Sequence, residues 1–318
     1  MNLSVGLVGL PNVGKSTLFN ALASRRLAET APRPFTTIDP HEAVVPVPDE
    51  NLEQLWDLVR GDPSTALRMT VPEKIPATVT FIDIAGLVKD AHQGEGLGNQ
   101  FLAKIREVDA IIHVVRAFID PSLSHPHPSH EPGSIGQILE DIEIVNLELE
   151  LGGISQKPSI YVLNVEESGI NNFELIAAVE GKTHQKALTI SAKLEEELID
   201  FSEKERSDYL KSAGQEKTGL ARLILFAYEL LGFITFYTIK GGQEVHAWSI
   251  KKGASAIDAA GAVHTDFAQN FIKAEAIAVA DLFEAGGWSQ AKEKGKVRLE
   301  GKDYIVADKD VIEFKVGS

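Results

Sequence analysis

Nine residues near the start of the chain, Gly9-Leu10-Pro11-Asn12-Val13-Gly14-Lys15-Ser16-Thr17, limit its fold more than anything after them. They fit the pattern Gly-x4-Gly-Lys-Ser/Thr, and their flanks fit the context this pattern needs. The apolar run Leu3–Val8 reads as a buried strand and Thr17–Ala23 opens a helix, so the loop falls at a strand-to-helix turn. Glycines let the backbone wrap an anion with its N–H groups inward, and the positive end of the helix adds attraction. On this reading Asn12, Val13, Gly14, Lys15, Ser16 and Thr17 hold the phosphates of a nucleotide. Lys15 is the catalytic cation on the β- and γ-phosphates, and Ser16 is a ligand of Mg²⁺. The expected fold class is α/β, a P-loop domain with a Ras-like, mostly parallel sheet flanked by helices.

Two downstream segments fit the moving parts of a nucleotide switch. Pro32, Pro34 and Pro40 keep the segment around Thr36 and Thr37 from being helical. In nucleotide switches a threonine of such a loop coordinates Mg²⁺ while the γ-phosphate is present; Thr37 is the first choice here and Thr36 the second. The apolar run Thr78–Ile84 carries Asp83 at its end, where a carboxylate is costly unless paired or near a metal. Asp83 therefore reads as a third Mg²⁺ group, acting through water, and Gly86 as an N–H donor to the γ-phosphate. Leu87 follows, where Ras-like proteins place the glutamine that positions the attacking water. A leucine cannot hydrogen-bond water, so that device is missing.

The base end is less regular. The strand Ser159–Leu163 runs into Asn164-Val165-Glu166-Glu167, where regulatory GTPases carry Asn-Lys-x-Asp. Val165 replaces the lysine and Glu167 the aspartate that accepts from guanine, whereas Asn164 can still pair with N7 and N6 of adenine. That favours ATP over GTP. Ser191 and Ala192 stand after the strand Ala187–Ile190, where these folds use a Ser-Ala-Lys loop against the base. Asn12 is a candidate ligand for a monovalent cation, K⁺, that would stand in for an arginine finger.

Charge divides the chain. Its net charge is −15, yet from Phe233 onward 11 Lys and Arg face 12 Asp and Glu, a net of −1, which leaves −14 on residues 1–232. Such a domain repels nucleic acid at long range, so DNA and membranes are not expected partners and any RNA contact needs a local basic patch. Lys292, Lys294, Lys296, Arg298 and Lys302 form the densest basic stretch, which as a charge run is more often a solvated face. No apolar run reaches the roughly 18 residues that span a bilayer, and the phosphate loop begins almost at once, so a cytoplasmic protein is expected. There is no cysteine, which excludes disulfides and thiolate chemistry.

From Gly232 the pattern turns to strands, with Phe233–Ile239 and Glu244–Ile250 around a Lys-Gly-Gly-Gln turn. A helix over Ser255–Ile272, a strand over Lys273–Val279, a hairpin of Lys296–Glu300 with Tyr304–Val306 and a strand over Val311–Val316 are predicted next. Residues 233–318 therefore read as a small α+β domain of β-grasp type, after a nucleotide-binding domain over 1–232. An acidic helix over Ile138–Leu151, with Leu139, Ile142, Val145, Leu147, Leu149 and Leu151 as apolar positions, is predicted within the first domain.

Gly-Leu-Pro-Asn-Val-Gly-Lys-Ser-Thr, Pro-Phe-Thr-Thr-Ile-Asp, Asp-Ile-Ala-Gly-Leu-Val-Lys, Gly-Glu-Gly-Leu-Gly-Asn-Gln-Phe-Leu and Asn-Val-Glu-Glu together resemble the YchF/Obg-like ATPases of the Obg family. The tail, with Gly-Phe-Ile-Thr-Phe-Tyr-Thr, Glu-Val-His-Ala-Trp and Glu-Gly-Lys-Asp-Tyr-Ile-Val, is similar to that family's TGS domain. The resemblance implies a translation-associated ATPase that binds ribosomes or ribosomal RNA, with Leu87 as the hydrophobic replacement that marks its subgroup. It also implies a histidine that assists hydrolysis; the match falls on His125, with His127 and His130 in neighbouring registers. One departure stands out: the family's long coiled-coil arm is replaced by residues 136–156 alone, too short for two long helices at about 1.5 Å of rise per residue. A GTP-specific enzyme and a nucleotide-gated ribosome- or RNA-binding module without hydrolysis are the alternatives.

Overall fold

A computed structural model describes residues 4–29, 41–61, 71–84, 97–119, 131, 133–154 and 157–317. In chain order the strands are β1 (Ser4–Val8), β2 (Glu42–Pro46), β3 (Glu73–Ile75), β4 (Thr78–Asp83), β5 (Ala110–Arg116), β6 (Ser159–Asn164), β7 (Ala187–Ile190), β8 (Phe233–Lys240), β9 (Glu244–Lys251), β10 (Phe271–Ala278), β11 (Arg298–Glu300) and β12 (Asp310–Val316). The helices are α1 (Lys15–Glu29), α2 (Glu50–Gly61), α3 (Leu97–Glu107), α4 (Ile135–Leu151), α5 (Phe173–Thr183), α6 (Ala192–Glu197), α7 (Glu203–Ser212), α8 (Gly219–Leu230), α9 (Ala256–Val263), α10 (Thr265–Gln269), α11 (Val279–Ala285) and α12 (Trp288–Glu293). The chain divides into two compact units, Met1–Pro46 with Val79–Leu231 and Val47–Thr78 with Gly232–Ser318.

The first unit is built on a sheet of order β2-β4-β1-β5-β6-β7, in which β4, β1, β5, β6 and β7 pair in parallel. Every residue of β5 is buried, as a central parallel strand covered on both faces requires. Along one face Val8, Ile84, Phe101, Leu102, Ile105, Val145 and Leu149 share a core, which α4 continues through Ile138 and Ile142 to a second cluster with Val115, Leu163, Leu175 and Val179. The α/β fold with a mostly parallel sheet is therefore as predicted.

Helix α4 occupies the place of the shortened insertion and is a single helix. Ser134 caps it by accepting from the Gln137 N–H. Ile138, Ile142, Val145 and Leu149 are buried at helical spacing, but Leu147 and Leu151 are 55% and 52% exposed, so two of the expected apolar positions face away from the core. The buried stripe is narrower than the run of apolar residues suggests.

The second unit has a sheet of order β11-β10-β12-β8-β9-β3. A hairpin (β8, β9), a helix (α9), then β10 and a last strand, β12, lying parallel to β8, give the β-grasp arrangement. Three expectations need correction here. The expected domain over 1–232 is not continuous, because Val47–Thr78 packs with the C-terminal unit. Two contacts explain this: β3 pairs in parallel with β9, and the Tyr237 hydroxyl donates to the Asp49 carboxylate (2.8 and 3.0 Å). Next, the single helix over Ser255–Ile272 breaks at His264, whose backbone is extended and whose Nδ1 accepts from the Asp266 N–H (3.2 Å). Strand β10 then begins at Phe271. Finally, Arg298–Glu300 pairs with β10 rather than with Tyr304–Val306, of which Ile305 makes one bridge to Ser255. Tyr304 is held instead by Asp310, which accepts from its hydroxyl (2.7 Å).

The basic stretch is largely neutralised within its own unit. Lys292 pairs with Glu275 (2.6 Å), Lys296 with Glu284 (2.6 Å) and Arg298 with Asp310 (3.2 Å). Among the described residues, no helix is long and apolar enough to cross a membrane.

Candidate nucleotide site

The loop after β1 has the backbone that its glycines predict. Gly9 has φ +153°, and a Cβ there would lie 2.2 Å from the Val114 carbonyl oxygen, so β5 leaves room for nothing larger. Gly14 has φ +94°, and a Cβ there would sit 2.2 Å from Asn164 Nδ2. Asn12 adopts the left-handed region at φ 60°, which asparagine tolerates. The Leu18 N–H then donates to the Gly14 carbonyl (3.0 Å) and starts α1.

Lys15 is 7% exposed and its ammonium donates to the carbonyls of Gly9 (3.0 Å) and Leu10 (2.7 Å), folded back over the loop. Burial lowers its pKa to about 8, and the nearby Asp83 opposes that shift. The Asp83 carboxyl is raised above its usual range, first by burial, against the pull of Lys15, His41, Ser16 and Lys104. Ser16 Oγ donates to Asp83 Oδ2 (3.4 Å), bringing a hydroxyl and a carboxylate together beside the loop. Behind them His113 is 2% exposed, with no partner for its Nδ1; burial, then Lys15, lowers its pKa to about 3 and keeps it neutral.

These residues open into a cleft of about 1210 Å³ within the first unit. Asn12, Gly14, Lys15, Ser16 and Thr17 line one end; Asn164, Val165, Glu167, Ser191 and Ala192 line the other. Val13 lies beneath the lining, 3% exposed, and contributes its carbonyl. Thr37, Gly86 and His125 lie outside the described residues, as do Thr36 and Leu87.

Asn164 does more than face the cleft. Its Nδ2 donates to the Val13 carbonyl (2.9 Å) and its Oδ1 accepts from the Ala192 N–H (3.0 Å), so one buried amide ties the two ends together. One amide hydrogen and one lone pair stay available for a base, half of what a free asparagine offers. Ser191 caps α6, accepting from the Leu194 N–H (3.4 Å). Glu167 lies in a short 3₁₀ turn, where its carboxylate accepts from the Tyr209 hydroxyl.

Phe118 and Tyr209 also line the cleft and were not singled out by the sequence reading. Tyr209 sits on α7, an element with no apolar stripe to reveal it. Its start was legible all the same: Ser202 and Glu205 form a capping box.

Two family models match the chain. Residues 4–165 match the family model described as 50S ribosome-binding GTPase, MMR_HSR1. Residues 233–317 match YchF-GTPase_C, described as a protein of unknown function (DUF933). The chain is 38% identical to a protein of Bacillus subtilis (strain 168) named Ribosome-binding ATPase YchF, over 99% of each chain. It is 36% identical to the protein of that name from Escherichia coli O157:H7, again over 99% of each. The Bacillus alignment runs over 382 positions against a chain of 318, so at least 64 positions have no counterpart here. A solved structure of the Schizosaccharomyces pombe YchF GTPase superposes with a TM-score of 0.79 at 29% identity, over 99% of this chain and 98% of that one. The P-loop unit, the β-grasp unit and these full-length matches have one meaning: the chain belongs to the YchF family.

Proposed function

We propose that this protein hydrolyses ATP in preference to GTP, with Mg²⁺, as a ribosome-associated switch in the cytoplasm. The observation that carries the reading is the single cleft that joins Lys15 and Ser16 to a base end in which Val165 and Glu167 replace the guanine-binding lysine and aspartate. Lys15 is held by two carbonyls that a triphosphate oxygen can replace as partner, so the cation is stored where the γ-phosphate arrives. The loop amides of residues 12–16 and the start of α1 would hold the remaining negative charge.

Ser16 and Asp83 supply hard oxygen donors side by side, and a carboxyl whose ionised form is penalised by burial gains from a cation. These residues fit Mg²⁺, with Thr37 as the switch ligand; when bound, the ion neutralises charge on the β- and γ-oxygens. Asn12, exposed in the cleft, is the proposed K⁺ ligand, and His125 the proposed helper of the attacking water. The names of the relatives support hydrolysis and ribosome contact, but differ on the base: the bacterial proteins are named ATPases, the yeast structure a GTPase. That name favours a second reading, GTP hydrolysis in the same cleft.

One experiment separates the readings: affinity for ATP and GTP and release of phosphate, with and without ribosomes, in KCl and in NaCl. ATP bound at least tenfold tighter, with Mg²⁺-dependent turnover, is the expected result. Tenfold tighter GTP would reverse the base assignment, and binding without turnover, ribosomes included, would reduce the protein to a binding module. His125→Ala should lower turnover and leave ATP affinity unchanged.

A further inference from the structure

The base end of the cleft has a wall that the nucleotide motifs do not provide. Helix α7 and the residues just after it are tied to the segment after Asn164 at several points. The Tyr209 hydroxyl donates to Glu167 Oε1, Gln215 Nε2 donates to Asn171 Oδ1, and Asn171 Nδ2 donates to the Ala213 carbonyl (3.5 Å). At the N-terminal end of the helix, Arg206 donates to the carbonyls of Leu198 (3.3 Å) and Phe201 (3.4 Å). The Phe201 ring stands edge-on to the Tyr209 ring (6.3 Å, 88°). Tyr209 and Glu167 both line the cleft, so their hydrogen bond lies where a base would sit.

We propose that Tyr209 is a positioning residue that sets base selectivity: by donating to Glu167 Oε1 it holds the carboxylate turned toward α7, so that its two oxygens do not face the guanine edge together. This rests on the cleft being a purine-nucleotide site. The chemistry is a matter of counting donors. Guanine presents N1–H and N2–H side by side, and a carboxylate accepts both only with both oxygens turned to that edge. Adenine presents a single amino group at N6, for which one oxygen is enough. With the carboxylate turned to the tyrosine hydroxyl, Glu167 can receive one N–H squarely and leaves the second guanine donor to water, at the cost of one modest hydrogen bond. Burial, then Glu167, raises the Tyr209 pKa to about 12, so the hydroxyl keeps its proton and acts as donor throughout the neutral range.

The test is calorimetric titration of the full chain with non-hydrolysable ATP and GTP analogues in Mg²⁺ buffer, for the wild type, Tyr209→Phe, Glu167→Ala and the double variant. Tyr209→Phe keeps the ring and removes only the hydroxyl. It should tighten the GTP analogue about threefold to tenfold, the worth of one modest hydrogen bond, and change the ATP analogue by less than twofold. In the Glu167→Ala background the same substitution should have no effect, because Tyr209 acts through that carboxylate. An unchanged GTP affinity in Tyr209→Phe, or an equal gain for both analogues, would overturn the proposal. So would a full Tyr209→Phe effect in the absence of the Glu167 carboxylate. The wild-type ratio of the two affinities tests the ATP assignment separately: a wild type that prefers GTP defeats that assignment, yet Tyr209→Phe must still tighten GTP. Equal melting temperatures of wild type and Tyr209→Phe exclude a folding defect as the cause.

Discussion

The two ends of the nucleotide cleft are built on different principles. At the phosphate end the contacts come from consecutive residues, mostly backbone, and glycine geometry tolerates little change: a Cβ on Gly14 would meet Asn164 Nδ2 at 2.2 Å. At the base end the contacts come from side chains on distant stretches, Asn164 to Glu167, Ser191 with Ala192, and Tyr209, linked by hydrogen bonds. On the proposed function, triphosphate binding would be fixed by the path of the main chain, whereas the choice of base would rest on a few exchangeable side chains. Substitutions at the first end should abolish function; at the second they should redirect it.

The largest effect should come from Lys15→Ala, which removes the cation proposed to meet the transferred phosphate. A drop of about 10²–10³-fold in turnover is expected by phosphate release, comparable to the loss of one transition-state donor elsewhere. Turnover above a tenth of the wild-type rate would contradict the role given to this residue. Gly14→Ala comes next, because it forces both a left-handed alanine and a clash with the amide that ties the two ends together. At about 1–3 kcal/mol of backbone strain, ATP affinity should fall roughly ten- to a hundredfold and the melting temperature should drop.

A smaller effect concerns protons. The Lys15 pKa is lowered from 10.5 to about 8 in the empty fold, so between these two values the unfolded chain holds the extra proton. The stability of the free protein should accordingly rise with pH across that window. A bound triphosphate returns a negative partner to the ammonium, so binding at pH 9 should take up protons, and binding at pH 7 should not. Calorimetry in two buffers of different ionisation enthalpy reads this directly; equal heats at pH 9 would refute it. The smallest change should follow Glu167→Asp, which retracts the carboxylate from Tyr209. The ratio of ATP to GTP affinity should shift toward GTP by about threefold, less than one full hydrogen bond. If it moved further toward ATP, the base end would be read backwards.

The same contrast explains what the sequence revealed. Gly9 to Thr17 is legible because its glycines, lysine and hydroxyls fall on one turn between a strand and a helix, and Asp83 because a charged group at the end of an apolar strand asks for a reason. Tyr209 was not, since its partner Glu167 is 42 residues away and its helix has no buried residue to mark it. Asn164 was recognised as a base contact, but its second task, holding the Val13 carbonyl and the Ala192 N–H, depends on a tertiary approach across 151 residues. In the second unit the alanine-rich run after Ser255 hid the stop at His264, where an imidazole caps the next helix in place of a glycine or proline signal.

The strand β3 and Asp49 carry a consequence for how this polypeptide is assembled and how it can be cut. Because residues 47–78 complete the C-terminal sheet, the first unit is interrupted rather than followed, and the covalent thread passes from one unit to the other three times. A fragment starting at residue 233 would keep the β8–β9 hairpin but leave the outer edge of β9 bare and strip Tyr237 of its acceptor. Such an open edge is the template on which strands of separate molecules pair, so severing the tail at its apparent boundary should give a sticky fragment.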